Sequence, residues 1–344
     1  MMKVSIVGAS GYVGGELLRL LINHPEVDIN QATSESHVGE YVYQQHPNLR
    51  KTTNLKFSSR QVLAPCDVLL LALPHGESQK SIEQYASLAP KIVDLSADFR
   101  IHNPQLYKKF YGSDHLAPEW LDRFVYGLPE LHREEMVAAS YISGVGCNAT
   151  VANLALFPLV SAGILDASKP VIVEIKVGSS EGGATPNPGS HHPERSSIVR
   201  TFSPFGHRHT AEVIQELNLE NIHLTMTSVD MVRGAMATGH AFTKPGISEK
   251  DLWQIYRSWA NSERFTRLVK DRRGIYRVPE PKILAGSNFV DVGFDYDPDS
   301  GHVVAMAAID NLMKGAAGSA VQSMNLMCGF EESTALGFAG LHPI

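Results

Sequence analysis

Residues 4–15 read Val4-Ser5-Ile6-Val7-Gly8-Ala9-Ser10-Gly11-Tyr12-Val13-Gly14-Gly15. A β-rich run ends at Gly8, and glycines at 8, 11 and 14 follow in GxxGxxG spacing. Beyond them Leu17, Leu18, Leu20, Leu21 and Ile22 form an apolar face at helical spacing, stopped by Pro25. Strand, glycine turn and helix in this order open a nucleotide-binding βαβ unit. The glycines permit a tight turn and let a phosphate approach the backbone, and the helix N-terminus offers N–H groups to a pyrophosphate. A glycine triplet alone fits any strand–helix turn; the flanking strand and helix favour a dinucleotide, with Gly8, Gly11 and Gly14 at its phosphates.

Working outward, residues 27–33 read as a second strand. Residues 66–73 are nearly continuously apolar, as in a strand buried on both faces of a parallel sheet, and 91–95 form another, with a helix over 78–88 between them. This alternation predicts a Rossmann-type, doubly wound parallel sheet. After Cys147 the pattern changes. Residues 148–163 read as one long apolar helix that Pro158 kinks or breaks. Five weakly alternating runs follow, at 171–177, 222–229, 235–242, 289–294 and 302–309, predicting a second α+β domain with a mixed or antiparallel sheet. A helix rich in Gly and Ala over 311–327 returns to the first domain. The expected division is 1–147 with 310–344 for the dinucleotide domain, and 148–309 for a catalytic and oligomerisation domain. A chain of 344 residues suits two such domains.

With 30 Lys and Arg against 36 Asp and Glu, the net charge of −6 argues against a nucleic-acid binder. No apolar run approaches the roughly 20 residues of a membrane span. The immediate entry into the first strand leaves no room for a leader, and Cys66, Cys147 and Cys328 form neither a disulfide framework nor a zinc knuckle. A cytoplasmic enzyme is expected.

Where the second strand ends, Thr33-Ser34-Glu35-Ser36-His37 bears on cofactor choice. Glu35 is placed to accept the ribose 2′-hydroxyl of NAD; Ser34, Ser36 and His37 could instead hold the 2′-phosphate of NADP. Glu35 is expected to point outward, with the serines facing the ribose.

The sequence Ser143-Gly144-Val145-Gly146-Cys147-Asn148-Ala149-Thr150 puts a thiol at the start of the long helix. The positive end of a helix favours a thiolate, and its first-turn N–H groups can stabilise an oxyanion. Cys66 and Cys328 lie in apolar contexts and read as structural. A nucleophilic cysteine needs a base, and His207-Arg208-His209 closes an irregular stretch, 178–209, rich in Gly, Pro, His and Arg. The HH and HRH spacings lack the i,i+4 geometry of a helical zinc site, so no metal is expected. Arg100, Arg195, Arg200 and Arg208 could hold a carboxylate or phosphate. Dinucleotide, cysteine and histidine together are the means of hydride transfer at a thioester, interconverting an acyl phosphate and an aldehyde.

The chain also carries GASGYVGGE (8–16), HPNLR (46–50), LALPHG (71–76), DLSADFR (94–100), GCNAT (146–150), HHPERSS (191–197), GHRHTAEV (206–213) and DNLMKGAAGSAVQ (310–322). In these motifs, over about residues 3 to 343, it resembles the N-acetyl-gamma-glutamyl-phosphate reductase family, relatives of aspartate-semialdehyde dehydrogenase. GCNAT with SHHPERSS is similar to the lysine-pathway branch, which reduces a phosphorylated α-aminoadipate attached to a small acidic amino-group carrier protein; some archaeal members also use carrier-bound glutamate for arginine synthesis. The resemblance implies Cys147 as nucleophile and His207 as base. It implies NADP contacts from Ser10, Gly11, Tyr12, Val13, Ser34, Glu35, Ser36 and Asn311. Substrate contacts are expected from Arg100, Asn148, His192, Arg195, Arg208 and His209. Family members often carry arginine where this chain has Glu35. An acidic carrier would meet a positive patch of Arg195, Arg200 and Arg208, or of Lys270, Arg272 and Arg273. A homo-oligomer is expected. Two alternatives stand: a reductase of free N-acetylglutamyl phosphate, and a redox-sensing dinucleotide module without turnover.

Overall fold

The computed structural model describes residues 1–343, which form two compact units: Met1–Val145 with Ala316–Gly337, and Gly146–Gly315 with the residues from Phe338 onward. The first unit is built on seven strands: β1 (Met2–Val7), β2 (Val27–Thr33), β3 (Phe57–Ser58), β4 (Val68–Leu71), β5 (Lys91–Asp94), β6 (Phe124–Tyr126) and β7 (Tyr141–Ser143). Their order is β3-β2-β1-β4-β5-β7-β6, and every pairing is parallel. The apolar run at β4 has the expected cause: Val68, Leu69, Leu70 and Leu71 are all 0% exposed, covered on both faces. Burying each such side chain contributes roughly 1.5–3 kcal/mol. The strand order reverses between β1 and β4, the switch point where doubly wound sheets bind ligands at the carboxyl ends of their strands. The Gly- and Ala-rich C-terminal helix (Gly318–Cys328) packs in this unit against the helix Pro129–Ala138.

In the second unit lie β8 (Val171–Val177), β9 (Val199–Ser203), β10 (Ile222–Val229), β11 (Ala235–Phe242), β12 (Thr266–Leu268), β13 (Val290–Asp297) and β14 (His302–Ile309), in the order β12-β13-β14-β11-β8-β10-β9. The sheet is mixed: β8 with β10 and β12 with β13 run parallel, the other pairs antiparallel. One face is covered by the helix Cys147–Ser161, which packs on β8, β11, β13 and β14. That helix is apolar nearly all round because it lies under this sheet and the helices His209–Leu217 and Glu249–Ser262.

Three local readings need correction. Pro158 does not end the helix, which runs on to Ser161. The first-domain helix begins at Ile82 rather than residue 78. The irregular stretch 178–209 holds a strand, β9, paired antiparallel to β10. As a largely exposed edge strand with one neighbour, β9 lacks the apolar alternation that burial imposes. No helix among the described residues is long and apolar enough to cross a membrane.

Candidate active site

The glycine turn of the first unit is open where a ligand would need it open. Gly8 has φ of +81°, and a Cβ there would strike the carbonyl of Ala72. A Cβ on Gly14 would lie 2.6 Å from Ala9, so this glycine lets the helix Tyr12–Leu21 pack close to the turn. Gly11 is different: a Cβ there meets nothing within 4 Å. Gly11 caps the helix, no side chain bonds the cap, and the first turn carries no acidic residue. Orphan N–H groups beside a bare glycine fit the phosphates of a dinucleotide.

The end of β2 sits beside this turn. Ser34 is 5% exposed and donates its hydroxyl to Ser10 Oγ at 2.9 Å. Ser36, Tyr12 and Glu35 are exposed, and Val13 is half-buried. The Glu35 carboxylate accepts from Arg60 N at 2.7 Å and from Ser59 Oγ at 3.2 Å. The Arg60 backbone N–H, chiefly, holds its carboxyl below the usual carboxylate range. Arg100, expected at the substrate, is 7% exposed and donates to the carbonyls of Ser96 and Leu95, bracing its own loop.

In the second unit, Cys147 is the first residue of its helix, with Gly146 as cap and no acidic residue in the first turn. The turn is crowded. Gly146 N donates to Glu212 Oε2 at 2.9 Å, and Glu212 is fully buried. A Cβ on Gly146 would lie 2.5 Å from Glu212 and 2.7 Å from the His209 ring; one on Gly315 would lie 2.6 Å from Cys147 Cβ. Cys147 as a residue is partly exposed. It reaches Asn148 Oδ1 at 3.8 Å, and Asn148 Nδ2 donates to Glu181 at 3.1 Å. Burial, chiefly, raises the Glu181 carboxyl, against the pull of Asn148, Arg195 and Arg208.

The two histidines of GHRH differ. His209 is 5% exposed and its Nε2 lies 3.9 Å from Glu212 Oε1. His207 is half-buried; its Nδ1 accepts from His209 N at 3.2 Å, and the rings meet edge to face with centroids 4.6 Å apart. Burial first, then the neighbouring Arg208, push the His207 imidazole down to about 4, so it is neutral near pH 7. Beside Glu181 opens a cleft of about 270 Å³ lined by Arg195, Ile198, Arg200, Phe202 and Ser228. The structure thus gathers Asn148 and Arg195 around Glu181, whose carboxyl also feels the Arg208 charge. His192 and Arg208 are exposed.

Asn311, expected at the cofactor, is 2% exposed; its carboxamide exchanges hydrogen bonds with Ser180 and accepts from Gly234 N at 2.7 Å. Lys270 is neutralised by Glu249 at 3.3 Å and Asp295 at 3.0 Å, whereas Arg272 and Arg273 are exposed. Sequence reading passed over Glu181, Glu212 and Gly315. Only Glu212 carried a signal, a glutamate three residues after His209 on the helix face shared with it.

Residues 3–139 match the semialdehyde dehydrogenase NAD-binding domain profile, and residues 147–311 the semialdehyde dehydrogenase dimerisation domain profile. A Deinococcus radiodurans protein named LysW-L-2-aminoadipate 6-phosphate reductase is 49% identical, covering 99% of this chain and 98% of its own. A Thermomicrobium roseum protein provisionally given the same name is 52% identical over the full length of both. A Nitrosopumilus maritimus protein, provisionally named for both LysW-L-2-aminoadipate and LysW-L-glutamate phosphates, is 46% identical over the full length of both. Among solved structures, aspartate semialdehyde dehydrogenase II of Vibrio cholerae has the same fold, with a TM-score of 0.70 at 18% identity, covering 96% of this chain and 99% of that one. The Candida albicans enzyme solved with NADP likewise gives 0.70 at 15% identity, covering 95% and 98%.

Proposed function

Because the chain belongs to the semialdehyde dehydrogenase family, oxidoreductases with a nicotinamide-dinucleotide domain, we propose that it reduces a carrier-bound acyl phosphate to the semialdehyde. The acyl group is aminoadipyl, with glutamyl as a second substrate, the cofactor is NADP, and the pathway is lysine synthesis, extending to arginine synthesis if glutamyl is used. The observation that carries the chemistry is Cys147 at the first position of its helix, partly exposed, in a turn fixed by Glu212 and walled by Gly315.

His207, neutral near pH 7, takes the thiol proton. The Cys147 thiolate attacks the acyl carbon, a C–S bond forms, and phosphate leaves with the C–O electron pair. The reduced nicotinamide, when bound, supplies the hydride that takes the thioester to the aldehyde level. The N–H groups of the helix's first turn stabilise the oxyanion. Its collapse breaks the C–S bond, releases the aldehyde, and leaves a thiolate that the histidinium reprotonates.

A second reading gives the base to His209. The observation favouring it is that His209 abuts Gly146 and faces Glu212, whereas the Nδ1 lone pair of His207 is engaged by a backbone N–H. In that arrangement His207 presents Nε2–H to the oxyanion.

The carrier reading draws on the names the relatives share and on the arginine-lined cleft. Lys270 adds little to a docking patch, being paired within the protein. The decisive assay compares NADPH oxidation with carrier-linked aminoadipyl and glutamyl phosphates and with free N-acetylglutamyl phosphate. A carrier-linked preference is expected, weakening from low to moderate salt as exposed charges are screened. Faster turnover of the free substrate returns the chain to the arginine branch; nucleotide binding without turnover of any substrate leaves a sensor.

A further inference from the structure

The end of β2 holds an acid where an NAD enzyme would want one, yet that acid is already engaged. β3 runs parallel beside β2, Thr33 opposite Ser58, and Ser34 N donates to Ser58 O at 3.0 Å. The chain therefore leaves both strands at the same edge of the sheet, and the turn after β3 brings Ser59 and Arg60 to Glu35. Three donors converge on that carboxylate: Arg60 N at 2.7 Å, Ser59 Oγ at 3.2 Å and Arg60 Nε at 3.5 Å. An acid so occupied is a poor acceptor for a ribose diol, and its charge is balanced by its neighbour.

The cation itself is only loosely held there. The Glu35–Arg60 pair spans 3.5 Å with side chains 43% and 40% exposed, a geometry that contributes little alone. The buried Tyr85 phenol is near enough to interact with the Arg60 guanidinium. Those contacts do not exhaust the five N–H donors of a guanidinium, whose planar fork suits a phosphate. Ser34, bonded to Ser10 of the glycine turn, ties the same edge to the nucleotide turn.

We propose that Arg60, brought to the end of β2 by the turn after β3, is the cation that reads the 2′-phosphate of NADP, with Glu35 as its positioning partner. The inference rests on the NADP reading above. It assigns the recognition to a residue 25 positions after Glu35. It also turns Glu35 from a repelling acid into a strut.

Calorimetric titration with adenosine 2′,5′-bisphosphate and AMP tests it without turnover. The wild type is expected to favour the bisphosphate. Arg60→Gln should lose about 10–100-fold of bisphosphate affinity, the worth of a charge-assisted contact, while AMP affinity stays within about twofold. Arg60→Lys should fall between, because a point charge keeps attraction and loses the fork. Glu35→Ala, which removes the strut, should lower bisphosphate affinity, whereas Glu35→Gln keeps an acceptor for the Arg60 N–H and should hold it within about twofold; no loss in Glu35→Ala overturns the positioning role of Glu35. Equal loss for both ligands, or no loss, in Arg60→Gln overturns the assignment to Arg60 while leaving an NADP preference in the wild type intact. A wild type that does not favour the bisphosphate overturns the NADP reading, and this inference with it.

Discussion

Two glycine-rich turns each deliver the chain from a strand into a helix, and the glycines that cap the two helices, Gly11 and Gly146, have opposite surroundings. At 8–15 the middle glycine, Gly11, faces empty space. At 144–148 the glycine before Cys147, Gly146, is pressed against Glu212 and His209, and Gly315 closes on Cys147 from another segment. Neither helix carries an acidic residue in its own first turn. The first turn leaves the place of the missing side chain open, and the second fills it with close packing around Cys147. A glycine in a motif therefore does not say by itself whether ligand or protein fills its place; what surrounds its absent Cβ does.

The largest effect should come from the crowded turn. Cys147→Ser keeps the geometry and replaces a thiol with an alcohol, a far weaker nucleophile near pH 7, so turnover should fall almost to nothing with nucleotide affinity unchanged. Mass spectrometry of the wild type with acyl phosphate, nicotinamide withheld, should show the acyl adduct on Cys147. Substantial activity in the variant, or no adduct, would remove the reason for reading that turn as a nucleophile's mount.

The next effect separates the two histidines. His207→Asn should cost about 10²–10⁴-fold in rate, and His209→Asn less, if His207 is the base. The reverse order sharpens the comparison instead, giving catalysis to the residue that Glu212 and Gly146 crowd. Acidity offers a second readout. With its imidazole pushed down to about 4, His207 stays neutral in the native protein through the range where an unfolded histidine, near 6.5, gains a proton. Its contribution to stability is thus complete above pH 6.5 and lost as the pH falls through 4. The acid limb of kcat/KM should likewise lie near 4 rather than 6.5, and His207→Asn should abolish both dependences.

Most of the architecture was legible because burial writes itself into sequence. β2, β8, β10, β11 and β14 fall on the residues their apolar pattern marks. The placement of the glycine turn and of Cys147 at helix starts was legible because it is local: a motif and the helix it opens are adjacent in the chain. Glu212 and Gly315 were not, because they reach the Cys147 turn across long stretches of sequence, Glu212 from 66 residues beyond Gly146. Pattern reading sees a helix face, not which distant turn that face will meet. β9 escaped for the opposite reason, having too little burial to impose a pattern.

The smallest effect tests the comparison most directly, by giving each turn the same methyl group. Gly146→Ala places a Cβ 2.5 Å from Glu212 and 2.7 Å from His209, both buried, so one of them must shift or the Gly146–Glu212 hydrogen bond must break. Overpacking of that kind typically costs about 1–3 kcal/mol, which a thermal melt should show along with slower alkylation of Cys147. Gly11→Ala meets no protein atom within 4 Å, and its φ of −77° is open to any residue, so the fold should lose under about 1 kcal/mol, the difference between glycine and alanine at a helix cap. Its Cβ would stand where the pyrophosphate is expected, and nucleotide affinity should fall, by about tenfold if one phosphate contact is displaced. The signature is thus a crossing: stability lost and nucleotide binding kept in Gly146→Ala, binding lost and stability kept in Gly11→Ala. If both variants lose stability alike, or if Gly11→Ala binds nucleotide as the wild type does, the open turn is not a cradle and the contrast between the two turns dissolves.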